Sequence, residues 1–227
     1  AIAVINKWGA WNETPESIRR HLLAGGPHNE NMSVEEYETL GARFFGLIFK
    51  DATVYPAVAK KARELGYPCV MLSEYMEAEA REAGSVIAQI SLCARRMGAP
   101  FQAPVVLLTS GENVVTVGAK GGVGGRNQEY CVAAAMQIQG EDKIVIGAVD
   151  TDGTDGPGGL DLPGAPQCLA GAVVDGYTME EAGEAGLNLW NALNTHDVSA
   201  PLWRIGCGVH ATHNVSAQDL GIVLLMD

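Results

Sequence analysis

The sequence predicts an α/β protein, in which a mixed or mainly parallel sheet is flanked by helices. Runs rich in Val, Leu and Ile, typical of buried strands, alternate almost throughout with segments whose apolar residues recur at helical spacing. Capping and stop residues bound several of the candidate helices. With 227 residues, the chain has enough material for a buried core and for one large or two small domains.

The first element is a helix in "TPESIRRHLLAGG". Thr14 is the predicted N-cap, Pro15 occupies the first helical position, and Gly25 lies just past the end. A polar stretch follows, and Ser33 is predicted to cap a second helix.

A β-α-β unit is predicted next. It consists of a strand over 42–49, a helix over about 55–66 and a strand over 68–73. Right-handed crossover connections favour parallel pairing of two such strands. A long helix is then predicted over 77–98.

The middle of the chain combines a strand, a glycine-rich loop and a helix. The apolar run over 103–117 predicts a strand, and a helix with one buried face begins near Asn127. The first N–H groups of a helix lack intrahelical partners, so a glycine-rich loop before them favours an anion site. Arg126 stands at the mouth of this loop, and its guanidinium suits a carboxylate or phosphate. A glycine-rich stretch alone is more often a simple tight turn, and on this stretch by itself a turn without a ligand is the favoured interpretation.

The last third places three carboxylates at the end of a strand. Strands are predicted in "KIVIGAVDTDG", "GAVVDG" and "LGIVLLM", and helices in "TMEEAGEAG" and "LWNALN". Asp150, Asp152 and Asp155 follow the first of these strands. Ligands in open α/β sheets bind beyond the carboxyl ends of strands, so these groups are candidates for binding Mg²⁺ or accepting a substrate proton. Their Asp-Gly pairs are also simple turn formers.

Composition excludes some partners. The net charge of −12 argues against nucleic acid or an anionic membrane surface as a general partner. Five widely spaced cysteines without metal-binding spacing suggest reduced thiols. No apolar stretch is long enough to span a membrane and no secretory signal is evident, so we expect a cytoplasmic protein. Because "AIAVINKWGAW" reads as entering partway through a fold, we expect the C-terminal part of a longer protein or one subunit of a split one.

Three motifs carry a resemblance to a known family. "GGRNQE", followed by "DTDGTDGP" and then by "AGAVVDG", resembles the C-terminal half of the type II glycerate 2-kinases, formerly described as hydroxypyruvate reductases. Upstream segments such as "ARELGYPCVMLSEYMEAEAREAG" are similar to that family as well. The resemblance implies that residues 1–100 belong to a Rossmann-like or linker region and residues 101–227 to a MOFRL-like domain. It also implies an active site in a cleft shared with an N-terminal fragment or second subunit. We further expect an oligomeric protein.

The resemblance implies roles for particular residues. The family phosphorylates a hydroxyl of glycerate with Mg-ATP, so a small anionic substrate is expected. Arg126 would hold the substrate carboxylate or the transferring phosphoryl group, Asp152 would act as base or metal-side carboxylate, and Glu112 matches a family position. The cofactor contacts expected from the loop and the family pattern are Gly124, Gly125, Asn127 and Asn214. Glu129 also matches a family position, although an acid in the first turn of a helix is stabilising in any case.

Departures from the family pattern leave the chemistry open. The terminal run "GCGVHATHNVSAQDL" brings His210 and His213 where the family has small residues, and "NTHDVSAP" brings His196 and Asp197. His-x-x-His spacing suits a divalent transition metal, and the candidate ligands are Asp152, Asp155, His210 and His213. Three hypotheses therefore remain: a glycerate 2-kinase-like phosphotransferase, a metal-assisted hydrolase or lyase of a small carboxylated substrate, and a non-catalytic subunit.

Overall fold

A computed structural model describes residues 1–44, 46, 51–118, 121–212 and 218–227, without the side chains of residues 27 and 51–54. The chain divides into two compact units, Ala1–Leu47 and Ile48–Asp227, each of which is described by itself. The domain boundary near residue 100 stays a prediction. No helix among the described residues is long and apolar enough to cross a membrane.

The first unit contains the short helices α1 (Ile2–Lys7), α2 (Glu16–Ala24) and α3 (Val34–Thr39), none of which has a buried residue. Ser33 caps α3 as predicted, in a capping box with Glu36. The predicted N-cap at Thr14 is wrong by one position. The N-cap of α2 is Pro15, whose backbone is extended. The Thr14 hydroxyl instead donates to the carbonyl of Ala10 at 2.8 Å.

The second unit is built on a mixed six-stranded sheet with the order β1-β2-β6-β3-β4-β5. Its strands are β1 (Cys69–Met76), β2 (Val105–Gly111), β3 (Ile144–Asp150), β4 (Gly171–Asp175), β5 (Gly208–Val209) and β6 (Asp219–Leu225). Its helices are α4 (Asp51–Glu64), α5 (Ala80–Met97), α6 (Arg126–Ile138), α7 (Thr178–Glu184), α8 (Leu189–Asn194) and α9 (Ser199–Arg204). Among these described strands, β1 and β2 pair in parallel and the other neighbouring pairs are antiparallel. The predicted α/β class with a mixed sheet and flanking helices is confirmed.

The parallel pair differs from the predicted one. Part of the predicted strand at 42–49 lies outside the described residues, and its described residues, 42–44 and 46, are not in a strand. The observed crossover instead runs from β1 through α5 to β2. Helix α5 packs closely on α6. A Cβ at Gly84 would lie 2.1 Å from the carbonyl oxygen of Tyr130, so only glycine fits at this position.

Helix α6 is the central element of the core. Ten of its thirteen residues are buried, and it contacts α5, β3, β4, α7 and α8. Val105 and Leu107 of β2 belong to the same cluster, whereas Val106 and Leu108 face a second cluster that includes Ala62 of α4. Strand β2 is therefore buried on both faces, as its continuous apolar run predicts.

One edge of the sheet gathers the chemically interesting residues. Gly111 at the end of β2 and Asp150 at the end of β3 both pair with Asp219 at the start of β6. The N-terminus of α6 reaches this edge, because the Asn127 side chain donates to Asp219 at 3.0 Å.

Candidate active site

Arg126, the first residue of α6, is the centre of a charged cluster at this edge. Its Nε donates to Asp219 Oδ2 at 2.6 Å and its Nη2 to Asp219 Oδ1 at 3.0 Å, which is a two-pronged grip. Nη2 also donates to Asp150 at 2.8 Å and lies 3.3 Å from Glu112. Nη1 has no bond to the described residues, so it is the guanidinium nitrogen left for a ligand.

The cluster has more negative than positive charge. Asp150 and Asp219 are nearly inaccessible, whereas Glu112 is two-thirds exposed. Burial alone would lower the pKa of Arg126, but the three carboxylates outweigh it and raise that pKa. Burial raises the pKa of Asp150, and the hydrogen bond that it accepts from the Asp152 N–H lowers this pKa by less. One guanidinium facing three carboxylates leaves a formal surplus of negative charge, which a bound cation would offset.

The loop before α6 requires glycine at three positions because other parts of the chain lie in close contact with its backbone. A Cβ at Gly122 would lie 2.3 Å from Asp197, one at Gly124 would lie 2.8 Å from the carbonyl oxygen of His196, and one at Gly125 would lie 2.3 Å from Asp155. Each of these distances is below any real Cβ contact. The protein itself therefore makes the close approach that these glycines permit.

Asp155 caps α6. Its Oδ1 accepts from the backbone N and the Nδ2 of Asn127 at 3.1 and 3.2 Å, and its Oδ2 accepts from the backbone N and Nε2 of Gln128 at 2.9 and 3.1 Å. Burial raises the pKa of this carboxyl to about 6, although these N–H groups act in the opposite direction. Two of the orphan N–H groups of the helix are thus satisfied internally.

A cleft of about 800 Å³ opens beside Arg126. Glu112 to Val115 form one wall, and the loop Gly121 to Gly125 forms another. Glu77, Glu129, Pro157 and His196 also line it. The cleft is large enough for a small-molecule substrate and combines apolar walls with a few charged groups.

Glu129, one turn into α6, is buried and binds two basic side chains. His196 Nδ1 lies 2.8 Å from its Oε1, and Arg81 Nη2 lies 3.4 Å from its Oε2. Arg81 is held in turn by the Leu193 carbonyl at 2.8 Å. This gives Glu129 a role beyond favouring the helix dipole.

Not all predicted site residues meet in this cleft. Arg126, Glu112, Gly124 and Gly125 line it. Asn127 does not, because it is buried and its amide donates to Asp155 and Asp219. A ligand contact by Asn127 therefore has no support from this geometry.

Asp152 lies in the turn after β3. Its Oδ1 accepts from the N–H and the hydroxyl of Thr154, both at 2.7 Å, and these bonds lower the pKa of Asp152. The direct carboxylate partner of Arg126 from this turn is Asp150. His210 lines a second cavity of about 560 Å³ with Thr154.

The metal prediction remains untested. His213 and Asn214 lie outside the described residues. Within the part of the chain that is described, no group of three His, Cys, Asp or Glu residues is arranged to hold a metal. Asp155 has both oxygens committed to N–H donors, which leaves Asp152 as the freer of the two predicted acidic ligands.

Sequence reasoning noted Asp219 only as a residue of the terminal run that matches the family pattern, and it did not find the pairing of Glu129 with His196. Asp219 is the first residue of β6, and antiparallel pairing brings it beside Asp150. His196 was visible only as one of several histidines. Its contact with Glu129 joins residues 67 positions apart, so no local pattern announces it.

Comparison with known proteins agrees with the motifs. Residues 105–215 match the MOFRL family. The chain is 33% identical over 205 residues to a glycerate 2-kinase of Pyrococcus horikoshii, covering 89% of this chain and 43% of that protein. It is 31% identical over 198 residues to a D-glycerate 2-kinase of Thermotoga maritima, covering 87% and 42%.

Solved structures give the same relationship. A glycerate kinase of Thermotoga maritima matches with a TM-score of 0.75 at 30% identity, over 100% of this chain and 50% of that one. A protein of Pyrococcus horikoshii matches with a TM-score of 0.73 at 30% identity, over 99% and 49%. The chain thus spans about half the length of these relatives.

Proposed function

We propose that this chain, which carries the MOFRL domain of the type II glycerate 2-kinases, contributes the Arg126 side of a phosphotransferase active site. The substrate class is a small hydroxy acid such as glycerate, and the phosphoryl donor is Mg-ATP. The substrate class follows the names of the relatives and the donor follows the family resemblance, and a cleft of about 800 Å³ beside Arg126 supports both assignments.

The observation that carries the proposal is the fixed guanidinium of Arg126. Asp219 and Asp150 hold Nε and Nη2, so the direction of the side chain is set before any ligand binds. Nη1 then supports recognition of a carboxylate or of charge on a transferring phosphoryl group. Such preorganised donors are typically the largest electrostatic contribution in a site of this kind.

The donor set beside Arg126 fits Mg²⁺. This ion prefers carboxylate oxygens and is usually held by one or two of them together with phosphates and water. Glu112 and Asp152 are the residues that would hold it, since Glu112 is exposed and lies 3.3 Å from Arg126, and the charge of Arg126 acts on Asp152 in the neighbouring turn. When bound, the ion would offset the surplus negative charge near Arg126 and neutralise phosphate charge.

The glycine-rich loop supports contact with phosphate oxygens. Gly124 and Gly125 are buried, and the backbone N–H groups of Gly124, Gly125 and Arg126 have no hydrogen-bond partner among the described residues. Buried N–H groups are nearly always satisfied, so a ligand oxygen is a natural acceptor for them.

We further propose that the complete site needs a second polypeptide segment or subunit, because the chain spans about half of its relatives. Turnover by the chain should therefore rise when the natural remainder of the protein is supplied. Full turnover by the isolated 227-residue chain would contradict this.

The test of the proposed function is Arg126→Lys, assayed in the natural protein for ATP-dependent phosphorylation of D-glycerate. Lysine keeps a positive charge beside Asp150 and Asp219 but cannot reproduce the planar grip. We expect a fall in kcat/KM of about 10²–10³-fold. Arg96→Lys is the matched control, because Arg96 forms only an exposed pair with Glu141 at 2.7 Å. Equal activity of both variants would contradict the assignment.

The metal-assisted hydrolase or lyase stays an alternative prediction that rests on His210 and His213. No contact of the described residues favours it over phosphoryl transfer. Elemental analysis of the natural protein separates the two, as described below.

A further inference from the structure

We propose that His196 accepts the proton of the substrate hydroxyl, and that Glu129 holds its imidazole in the tautomer this requires. The inference deepens the proposed function and rests on it for the identity of the reaction. It concerns a pair of residues to which the sequence motifs assigned no joint role.

The hydrogen bond between the two side chains sets the tautomer. An ionised carboxylate only accepts hydrogen bonds, so the 2.8 Å contact with Glu129 Oε1 requires the proton on His196 Nδ1. Nε2 is then the acceptor, and it has no partner among the described residues. His196 lines the same cleft as Arg126, so an acceptor and an anion-binding group share one cavity.

Glu129 is itself firmly placed. Its side chain is 1% exposed, and Arg81 contributes a positive charge at 3.4 Å from the oxygen that does not face His196. Arg81 also donates to the Leu193 carbonyl at 2.8 Å and lies 3.4 Å from Asn194, which fixes it against α8. A carboxylate supported in this way orients an imidazole and stabilises the cation that forms on proton transfer.

The backbone of His196 gives a second, independent observation. Its φ of 55° lies in the left-handed region, which non-glycine residues seldom adopt. Asp197 helps to hold the turn by accepting from the Val123 N–H at 3.0 Å, and the turn presses on Gly122 and Gly124. Such strained residues persist where surrounding contacts determine them, and they cluster at functional sites.

Several charged groups lie on the elements next to this imidazole or line the same cleft. Glu129 and Arg126 come from α6, Arg81 comes from α5, Asp197 is the next residue, and Glu77 and Glu112 lie on the cleft wall. Of these charged groups, Glu129 is the one that forms a hydrogen bond with the imidazole among the described residues. The pH dependence of the pair therefore has to be measured with Glu129 varied as well.

The proposed step balances with the hydroxy acid and the nucleoside triphosphate as reactants. The O–H bond of the acceptor hydroxyl breaks, and its proton moves to His196 Nε2. The acceptor oxygen forms a bond to the terminal phosphorus, the bond from that phosphorus to its bridging oxygen breaks, and the electron pair leaves with the nucleoside diphosphate. The imidazolium then releases its proton to solvent.

The main test is His196→Asn in the natural protein. Asparagine tolerates a positive φ, and its amide keeps a donor for Glu129, so the turn is preserved while the proton acceptor is lost. We expect kcat to fall about 10²–10⁴-fold and KM for D-glycerate to change less than about threefold. We also expect the acidic limb of the kcat pH profile to disappear. A variant with kcat within threefold of wild type and an unchanged acidic limb would overturn the proposal.

Two companion variants separate proton transfer from a structural role. His196→Gly also fits the positive φ and leaves a space, so added imidazole should restore part of its turnover. Glu129→Gln should keep measurable turnover but move the acidic limb, because the positioning partner no longer carries charge. If His196 only ties the turn to α6, imidazole will not restore turnover and the pH profile of Glu129→Gln will match that of wild type.

A spectroscopic test does not depend on phosphoryl transfer. In protein labelled with ¹⁵N-histidine, the signal lost in His196→Asn should show the tautomer protonated on Nδ1. D-glycerate should shift its Nε2 resonance, whereas 3-hydroxypropionate, which lacks the 2-hydroxyl, should not. A shift without any ATP-dependent phosphorylation would retain the hydroxyl contact and reject the proposed function. Absence of the shift, or the opposite tautomer, would reject the role of His196.

Discussion

The cap that Asp155 forms on α6 should make the stability of the protein depend on pH in a particular direction. Its folded pKa of about 6 lies above the ordinary value of 3.8. A raised carboxyl pKa contributes stability that is fully present below the unfolded value and is lost as the pH rises through the folded value. About half of this stabilising contribution is lost by pH 5, and nearly all of it by pH 7.5.

Asp155→Asn isolates this effect. The amide turns one acceptor oxygen into a donor, which then faces either the two Asn127 donors or the two Gln128 donors. Two unsatisfied buried donors should lower the free energy of unfolding by about 2–6 kcal/mol. At pH 7.5 the loss is smaller, because the variant no longer buries the charge of the Asp155 carboxylate. Because asparagine does not titrate, the difference in free energy of unfolding between wild type and variant should be larger at pH 5 than at pH 7.5, by on the order of 1 kcal/mol.

Urea unfolding followed by circular dichroism at the two pH values measures this gap. Asp161→Asn removes an exposed carboxylate and serves as the control, with an expected change within about 0.5 kcal/mol. A gap that shrinks at pH 5 would refute the reasoning, because it would mean that the N–H donors outweigh burial and depress the pKa of Asp155.

Three other predictions follow from the same contacts. Arg126→Ala should lower the free energy of unfolding by about 3–5 kcal/mol in urea, since it leaves two buried carboxylates without their cation, and a loss below 1 kcal/mol would contradict the geometry. Gly125→Ala should destabilise the protein by about 1–3 kcal/mol or more, because the added Cβ meets Asp155. The control Gly183→Ala has open space around it in α7 and should stabilise the protein slightly. Equal thermal midpoints of the two variants would be evidence against the close approach at Gly125. Elemental analysis should find no stoichiometric transition metal that resists chelation, and an ion lost on replacing His210 and His213 by alanine would favour the metal-assisted alternative.

Local patterns in the sequence determined most of the elements. The capping box at Ser33, the helix stop at Gly25 and the apolar runs of β2, β3 and β6 each depend on neighbouring residues, so their signals are readable without a fold. The motif "GGRNQE" marked the start of α6 within one residue.

The structure had to decide which groups meet. The parallel pair joins β1 to β2 rather than the predicted strands, because long-range pairing is set by burial and register and not by local propensity. The same register places Asp219 opposite Asp150, and so gives Arg126 partners that lie 93 and 24 positions away in sequence.

The glycine-rich loop shows the division most clearly. Its composition by itself indicated either a tight turn or a close approach to the backbone before α6, because glycine permits both. Tertiary packing decided that the neighbours are Asp155, Asp197 and the His196 carbonyl, and that the cap of the helix comes from a carboxylate 27 positions beyond Gln128. Contacts over such separations depend on how whole elements pack, and a sequence pattern of a few residues contains no information about that packing.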